Sequence, residues 1–490
     1  MKRIDRRQFI RKSAAASAAL AGGAAIAHLA SAADNQDSPP RRRPNVIFIL
    51  ADDLGWSDAG CYGSGYHETR NIDKLASQGM RFTDAYAAAP TCSPTRASIL
   101  TGKYPARLHL TQVDFGPRHR TFTHAGHKQP DYLDHLPLEE VTIAEALKAA
   151  GYTTGCVGKW HLGKQDAHQP GNQGFDFLNL TRGVHDFSGR KFKSPTDALE
   201  DVPASGWPKD AVTDAALEFI QANKDRPFFL YLPHYLVHAP ILTRNKRLYE
   251  KYKAKAGWHK QHNPFYASMV ETLDWSVGRV MAKLDELGLA EDTIVFFFSD
   301  NGALRGDRFS GPNVTDNWPL RGGKVSLQEG GIREPLIVRW PRAVKPATTC
   351  DVPVTSVDFY PTILSMTGAP GQAQHNRNVD GLDLTVLLRQ SGRLERDAIF
   401  WHYPHLPFIG AARKGGHKLI YDYISDWAEL FDLADDISES HDLAAKMPDK
   451  VAELKALHQK WLKDVGAQMP VPVEPKSPAP QGRDEGEGKG

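Results

Sequence analysis

Short apolar runs alternate along the chain with segments whose apolar residues recur at helical spacing. The apolar runs lack strict alternation, which is typical of strands in a sheet that is covered on both faces. They lie at residues 46–51, 154–160, 228–232, 294–299 and 336–340. The helical segments lie at 71–78, 139–150, 210–223, 264–287 and 356–367. Strands that alternate with helices predict an α/β fold, with a mostly parallel sheet flanked by helices.

The pattern changes near residues 370–378, which are mainly polar. Shorter strand-like runs follow at 398–402 and 417–421, and an amphipathic helix is predicted at 449–463. We therefore predict a main domain over 44–375 and a smaller C-terminal α+β subdomain over 376–466. The final stretch, 467–490, is rich in Pro and then in charged residues, which predicts a disordered tail.

The first 32 residues have the composition of an export signal. A basic start is followed by an Ala-rich, weakly apolar segment and by small residues that end at Ala32. The pair Arg6-Arg7 predicts a twin-arginine signal peptide over 1–32, a linker over 33–43 and export of the folded chain by the twin-arginine translocase. A membrane anchor is the alternative, and the shortness of the Ala- and Gly-rich segment argues against it. We expect a periplasmic or secreted protein without a stable membrane anchor.

Composition excludes some classes of function. The hydrophobic fraction of 41% and the charged fraction of 24% are typical of a globular protein. The 60 basic residues are matched by 58 acidic ones, so no basic surface for nucleic acid is expected. None of the four Cys belongs to a C-x-x-C motif, which argues against a thiolate zinc site.

Oxygen-rich pairs follow two of the predicted strands. Asp52 and Asp53 come after the first strand, and Asp300 and Asn301 come after the fourth. Each pair alone is more typical of a turn or a helix cap. In α/β sheets, however, ligands bind beyond the carboxyl ends of the strands. Together the two pairs favour a hard divalent cation such as Ca²⁺ or Mg²⁺.

Further reactive side chains follow the remaining strands and loops: Cys92, Arg96, Lys159, His161, His234, His238 and Lys324. Each has a plainer interpretation, as a surface charge, a structural histidine or a small buried residue. As a set with a cation, they suit a tetrahedral anionic ester, either a sulfate or a phosphate. A metal and lysines would offset the charge of its oxygens, and a histidine could protonate the leaving alcohol.

The stretch CSPTRASILTG at 92–102 resembles the signature of type I, formylglycine-dependent sulfatases of the alkaline phosphatase superfamily. ADDLGWSDAGCYG, GKWHLG, HAP, SDNG and LRGGKVSLQEGGIREP are also similar to motifs of that family, in the same order, and the likeness covers roughly 44–440. The resemblance implies an alkaline phosphatase-like fold with a large mixed sheet. It also implies that 44–375 is the catalytic domain and that the chain is a sulfuric ester hydrolase.

The same resemblance implies a modification of Cys92. A separate maturation enzyme would oxidise Cys92 to formylglycine while the segment around it is extended, and we expect the following helix to begin just after Pro94. One Ca²⁺ would be held by Asp52, Asp53, the modified Cys92, Asp300 and Asn301.

The resemblance also assigns roles in a covalent reaction. A hydroxyl of the hydrated aldehyde would attack sulfur, and the second hydroxyl would then expel sulfate from the sulfo-enzyme. Arg96 would orient the modified residue, while Lys159 and His161 would stabilise the diol and handle its proton. His238 would protonate the leaving alcohol, and Lys159, His238 and Lys324 would bind the sulfate group.

We expect the substrate to be a sulfated carbohydrate, with a leaving-group pocket from 165–210 and the C-terminal subdomain. His402 and His405 could contribute to that pocket, although a structural role is favoured for both. Two other functions stay open. One is a phosphodiesterase or phosphonate monoester hydrolase on the same scaffold, and the other is a binding protein for sulfated glycans in which Cys92 is not converted.

Overall fold

The computed structural model describes residues 43–114, 123–306 and 314–473. The predicted signal peptide 1–32, the linker up to residue 42 and the tail beyond 473 lie outside the described residues. From Pro44 onward, the described chain forms one compact unit. None of its helices has the length and apolar character that crossing a membrane requires.

Nine strands form a large mixed sheet. They are β1 (Asn45–Ala51), β2 (Met80–Tyr86), β5 (Thr153–Val157), β6 (Phe177–Asn179), β7 (Phe228–Pro233), β8 (Thr293–Ser299), β9 (Arg333–Arg339), β10 (Thr348–Cys350) and β11 (Val354–Thr355). Their order is β10-β2-β9-β8-β1-β7-β5-β6, with β11 also beside β2. Only β9 runs antiparallel to its neighbours, β2 and β8. The expectation of a large, mixed and mostly parallel sheet is confirmed.

The remaining strands of the described residues form two small sheets. Residues 399–432 form an antiparallel meander of β12 (Ile399–Tyr403), β13 (Ile409–Lys414), β14 (His417–Asp422) and β15 (Ala428–Asp432). The other small sheet contains β3 (Thr123–His124), β4 (His127–Lys128) and β16 (Val471–Pro472). β16 differs from the disordered tail predicted over 467–490, because Val471 pairs with Lys128 and the Val473 N–H donates to the Gly126 carbonyl at 2.8 Å.

The helices cover both faces of the large sheet and one face of the meander. They are α1 (Arg70–Ser77), α2 (Cys92–Thr101), α3 (Pro105–Leu108), α4 (Ile143–Ala149), α5 (Ala211–Ala222), α6 (Lys246–Ala254), α7 (Pro264–Glu286), α8 (Glu329–Ile332), α9 (Phe359–Thr367), α10 (Ala373–Asn376), α11 (Thr385–Leu388) and α12 (Pro448–Asp464). α4 begins later than predicted because Thr142 and Glu145 form a capping box at its start. Two apolar cores result, one on each face of the sheet.

Two local predictions about site-bearing segments are wrong. α2 begins at Cys92 rather than after Pro94. Pro94 is tolerated because the N–H groups of the first helical turn have no partner within the helix, so the missing proline N–H costs no bond. β5 ends at Val157 rather than at 160, because Gly158 turns the chain with a φ of 120°. Lys159 and His161 therefore lie in a loop and not on one face of a strand.

Candidate active site

A cluster of buried oxygen ligands lies where β1 and β8 end. The two strands are parallel neighbours in register, so the residues that follow them emerge at the same edge of the sheet. The Asp53 N–H donates to Asp300 Oδ1 at 3.2 Å, and Asn301 Nδ2 donates to Asp53 Oδ1 at 2.7 Å. Asp52, Asp53, Asp300 and Asn301 are all buried. The structure thus brings the two predicted pairs together.

Three cations offset the three buried carboxylates. Lys159 Nζ lies 2.7 Å from Asp52 Oδ2, Arg96 Nη2 lies 2.7 Å from Asp300 Oδ2, and Lys324 Nζ lies 2.8 Å from Asp53 Oδ2. Arg96 also donates from Nε to the same oxygen of Asp300 at 2.9 Å and from Nη1 to the Lys159 carbonyl at 2.8 Å. Because buried charges are costly unless they are paired, this arrangement fixes all six side chains.

The pKa values of Asp52 and Asp300 shift in opposite directions. Burial alone would raise the pKa of Asp52, but the charges of Lys159, His238 and Arg96 outweigh burial and hold that pKa well below its usual value. At Asp300, burial and the nearby charge of Asp52 win over Arg96 and raise the pKa to about 6. Asp52 therefore stays ionised, while the protonation state of Asp300 depends on the charges of Asp52 and Arg96.

Cys92 sits in the middle of these charges with its side chain almost fully covered. The thiol donates to Asp52 Oδ1 at 3.6 Å, and Lys324 Nζ lies 3.4 Å from Sγ. Burial raises the pKa of Cys92 to about 12, despite the lowering effect of Lys159 and Lys324. The thiol is therefore protonated at neutral pH, and an unmodified Cys92 is a poor nucleophile.

His238 is oriented by a backbone carbonyl. Its Nδ1 lies 2.7 Å from the Ala239 carbonyl, which can only accept, so Nδ1 carries a hydrogen. Its Nε2 lies 3.8 Å from Asp53 Oδ2, and one third of the side chain is exposed. Burial lowers the pKa of His238, against the raising effect of Asp53. Neutral His238 therefore carries its hydrogen on Nδ1 and presents an unprotonated Nε2 toward Asp53.

His161 lies beside the Cys92 segment at the surface. The Ser93 hydroxyl donates to the His161 carbonyl at 2.7 Å, which joins the start of α2 to the loop after β5. The His161 backbone is left-handed, with a φ of 61°, and the residue is exposed. The loop therefore carries both Lys159, inside the cluster, and His161, at its entrance.

Three candidate histidines lie outside the cluster in structural hydrogen bonds. His234 Nε2 lies 3.0 Å from Ser276 Oγ, His402 Nδ1 lies 2.7 Å from the Tyr423 hydroxyl, and His405 Nδ1 lies 2.8 Å from Gln129 Oε1. Burial lowers the pKa of His234 and of His402 to about 4, and that of His405 to about 3. All three are therefore neutral, buried hydrogen-bonding groups, the interpretation that the sequence favoured for His402 and His405.

Asp58 is a buried residue near the site that sequence reasoning did not single out. Its carboxylate accepts from Tyr266 Oη at 2.6 Å, the Gly55 N–H at 2.8 Å, Gln261 Nε2 at 3.0 Å and Thr315 Oγ1 at 3.2 Å. It thereby ties the loop after β1 to the start of α7 and to the loop before Lys324. The only signal in the sequence is its place within GWSD, which follows Asp52-Asp53 after Leu54.

The donor set fits a hard divalent cation. Asp52, Asp53, Cys92 and His238 each offer an atom, and these atoms lie within 4.8 Å of one another. Among the described residues, the buried Asn301 Oδ1 has no hydrogen-bond partner, so an electron-rich oxygen is left free beside Asp53. Carboxylate and amide oxygens are the ligands that Ca²⁺ and Mg²⁺ prefer.

Comparisons with known proteins agree with this geometry. The sulfatase family model matches residues 44–369, and the model of the C-terminal region of N-sulphoglucosamine sulphohydrolase matches 323–467. Human arylsulfatase A is 35% identical over 77% of this chain and 74% of its own length. A sulfatase from Formosa agariphila is 32% identical over 86% of this chain and 87% of its own.

A solved structure is similar over most of the chain. The crystal structure of Ps i-CgsB in complex with k-i-k-neocarrahexaose has a TM-score of 0.71 and 28% identity to this chain. The match covers 86% of this chain and 93% of that one. The two family models together span residues 44–467, which include both the large sheet and the C-terminal meander.

Proposed function

The chain belongs to the sulfatase family and is a sulfuric ester hydrolase, and we propose that its substrate is a sulfated carbohydrate. The observation that carries this proposal is the buried cluster in which Lys159, Lys324 and Arg96 surround Cys92. Similar proteins act on sugars: Ps i-CgsB binds neocarrahexaose, and a mouse N-acetylgalactosamine-6-sulfatase is 31% identical to this chain.

We propose that Cys92 is converted to formylglycine by a maturation enzyme that uses an external oxidant. When hydrated, the aldehyde supplies an oxygen nucleophile that the protonated thiol cannot provide. Overall, a sulfate ester and one water give an alcohol and inorganic sulfate. Arg96 supports the site because it holds Asp300 and the Lys159 carbonyl from inside α2.

The lysines and His238 bind and protonate the ester. Lys159 and Lys324 place their ammonium groups beside Cys92, where they bind sulfate oxygens and offset charge that develops on them. His238 presents Nε2 toward the site because its Nδ1 is held by the Ala239 carbonyl. Nε2 takes up a proton from solvent, since Asp53 stabilises the charged form, and the imidazolium then donates that proton to the leaving alcohol. His161, at the entrance, receives a proton from the nucleophile.

A divalent cation completes the site in this proposal. Ca²⁺ would be held by Asp52, Asp53, Asp300 and Asn301 with the modified Cys92. It would supply positive charge to the sulfate oxygens and to the nucleophile.

Export is a further part of the proposal. The sequence of 1–32 supports passage through the twin-arginine translocase to the periplasm or beyond. Replacing Arg6 and Arg7 by Lys should leave the protein in the cytoplasmic fraction. Unchanged export of that variant would contradict this route.

Peptide mass spectrometry tests the chemistry most directly. Trypsin should release FTDAYAAAPTCSPTR, residues 82–96, and conversion of Cys92 replaces its thiol by an aldehyde that a hydrazide reagent captures. We expect the converted protein to release sulfate from sulfated saccharides and the Cys92→Ala variant to release none. A protein with unconverted Cys92 that binds these sugars without turnover would instead support the binding function. Faster cleavage of phosphonate monoesters or phosphodiesters would support the phosphorus-ester alternative.

A further inference from the structure

Three aromatic rings, those of Trp258, His259 and Trp318, form a stack on two loops, and His259 and Trp318 are exposed. His259 lies parallel to Trp318 with ring centroids 3.7 Å apart, and Trp258 meets Trp318 edge-on at 5.6 Å. Trp318 is 45% exposed, which is unusual for so large an apolar side chain. We call these residues the aromatic stack.

The stack is rigidly built. Trp258 and Gln261 exchange two backbone hydrogen bonds of 2.9 Å, so His259 and Lys260 form a tight turn. His259 has a left-handed backbone with a φ of 52°, a conformation that few side chains adopt without a structural reason. Trp258 packs so closely on Gly65 that a Cβ there would lie 2.5 Å from its ring. The turn thus holds the imidazole against Trp318.

Both loops that carry the stack are tied to the catalytic edge of the sheet. Gln261, at the end of the turn, and Thr315, before Trp318, both donate to the carboxylate of Asp58. Asn317 Nδ2 and the Lys324 N–H both donate to the Ala303 carbonyl, at 3.4 and 3.1 Å. Trp318 therefore belongs to the same anchored loop as Lys324, which reaches Cys92. Asp58 in turn is linked to the catalytic cluster, because Tyr266 donates both to Asp58 Oδ2 and to the Asp53 carbonyl, at 2.6 and 3.2 Å.

The chain around the stack is suited to an anionic ligand. Residues 251–262 read KYKAKAGWHKQH, with four Lys and two His. Lys251, Lys253 and Lys255 form ion pairs with Glu271, Glu250 and Glu68, whereas no ion pair of Lys260 is found among the described residues. Lys260 and His262 are exposed on either side of Gln261. An anionic ligand is drawn to an exposed cation such as Lys260, and an exposed aromatic face binds the apolar C–H face of a sugar ring.

From this combination we propose that the aromatic stack is a carbohydrate subsite. Trp318 packs against a pyranose ring of a sulfated oligosaccharide, next to the unit whose sulfate enters the catalytic cluster. Lys260 contacts an anionic group of the same chain. This inference rests on the proposed function, because it names an additional contact with the proposed substrate class.

Binding measurements test the subsite apart from catalysis. Full-length Cys92→Ala protein is titrated by calorimetry, with Ca²⁺ present, against sulfated hexasaccharides of the carrageenan and chondroitin types and against their sulfated monosaccharides. We expect Trp318→Ala to weaken hexasaccharide binding roughly tenfold and monosaccharide binding by less than about twofold. Trp318→Phe should restore most of the affinity, because a flat apolar face remains. Trp427→Ala is the matched control, since Trp427 is also 45% exposed.

The outcomes separate the subsite from the proposed function. The inference is overturned if Trp318→Ala weakens both ligand lengths equally or neither, if Trp427→Ala has the same effect, or if no hexasaccharide binds more tightly than its monosaccharide. Activity on a small aryl sulfate then tests the sulfatase activity independently of the subsite. A converted protein that cleaves the aryl sulfate but fails the binding test remains a sulfatase without this subsite.

Discussion

Lys418→Met removes the cation from a fully buried ion network between the large sheet and the meander. Lys418 Nζ lies 2.7 Å from Glu329 Oε1 and 2.9 Å from Glu439 Oε1, and all three side chains have no exposed surface. Arg333 and the Tyr86 hydroxyl also contact Glu329, at 2.6 and 2.7 Å. The variant keeps the volume of the side chain but leaves Glu439 facing Glu329 without a cation between them.

The expected loss of stability is large. Each ion pair is worth roughly 4 kcal/mol of attraction at an effective dielectric constant of about 20, before the cost of burial. Removal of one partner from a buried pair typically costs about 3–5 kcal/mol, and we expect a loss in that range because Arg333 still offsets one carboxylate. Glu329 begins α8, which follows the loop of Lys324, so we also expect a higher KM.

The pH dependence identifies the cause. In the wild type, burial would raise the pKa of Glu329, but Lys418 and Arg333 outweigh it and lower that pKa, so its stabilising effect is present above about pH 4.5 and lost in acid. Burial raises the pKa of Glu439 even beside Lys418. Without Lys418 both carboxyl pKa values rise, so the variant loses stability as pH increases above about 4.5.

Urea unfolding at about pH 5 and at about pH 8 measures this effect. We expect the difference in unfolding free energy between wild type and variant to be smaller at the lower pH. Adding Glu439→Gln to Lys418→Met should recover part of the loss, because one buried charge is removed. A loss below about 1 kcal/mol, or a loss that does not depend on pH, would refute the reasoning.

Three further predictions concern the backbone, acid stability and the metal. Gly158→Ala should lower the unfolding free energy by roughly 2–4 kcal/mol and abolish most activity, because its Cβ would lie 2.0 Å from the Pro233 carbonyl oxygen. The control is Gly63→Ala, at a similar φ but in open space, which should lose about 1–2 kcal/mol. Thermal denaturation measures both losses. Burial lowers the pKa of His458 to about 3, so the wild type should lose stability as pH falls from about 6.5 toward 3. In urea unfolding, His458→Gln should reduce the slope of unfolding free energy against pH by the amount that corresponds to about one proton. Chelation with EGTA should lower the melting temperature and abolish sulfate release, and Ca²⁺ should restore both; unchanged activity after exhaustive chelation would contradict the metal site.

The sequence predicted three central strands of the large sheet well because burial leaves a continuous apolar signal, whereas the short parallel strands β6, β10 and β11 were not predicted. β1, β7 and β8 lie within one residue of the predicted runs. β2 was not predicted, since Arg81, Thr83 and Asp84 interrupt its apolar residues at half-buried positions. Its antiparallel pairing with β9 makes it part of the sheet, and that pairing joins residues far apart in the chain.

The rule that ligands bind beyond the carboxyl ends of the strands located the candidate site but not the contacts that support it. It brought Asp52 and Asp300 to attention because both follow apolar runs. It could not find Asp58, whose role depends on Gln261 and Thr315, residues that are distant in sequence and lack a motif of their own. Such long-range contacts, rather than local preference, decide which polar residues are fixed near a site. The catalytic roles themselves remain predictions.

The burial of Cys92 places a time limit on the conversion that we propose. The residue is 1% exposed in the folded protein, and Lys324, which covers it, is synthesised 232 residues later. At about 5–20 residues per second, translation leaves roughly 10–50 s during which this segment emerges before its cover exists. A maturation enzyme must act within that interval or on an unfolded chain. If Cys92 is converted as proposed, the ratio of active to inactive molecules is set during synthesis, by competition between oxidation and folding, and later supply of the maturation enzyme cannot correct it.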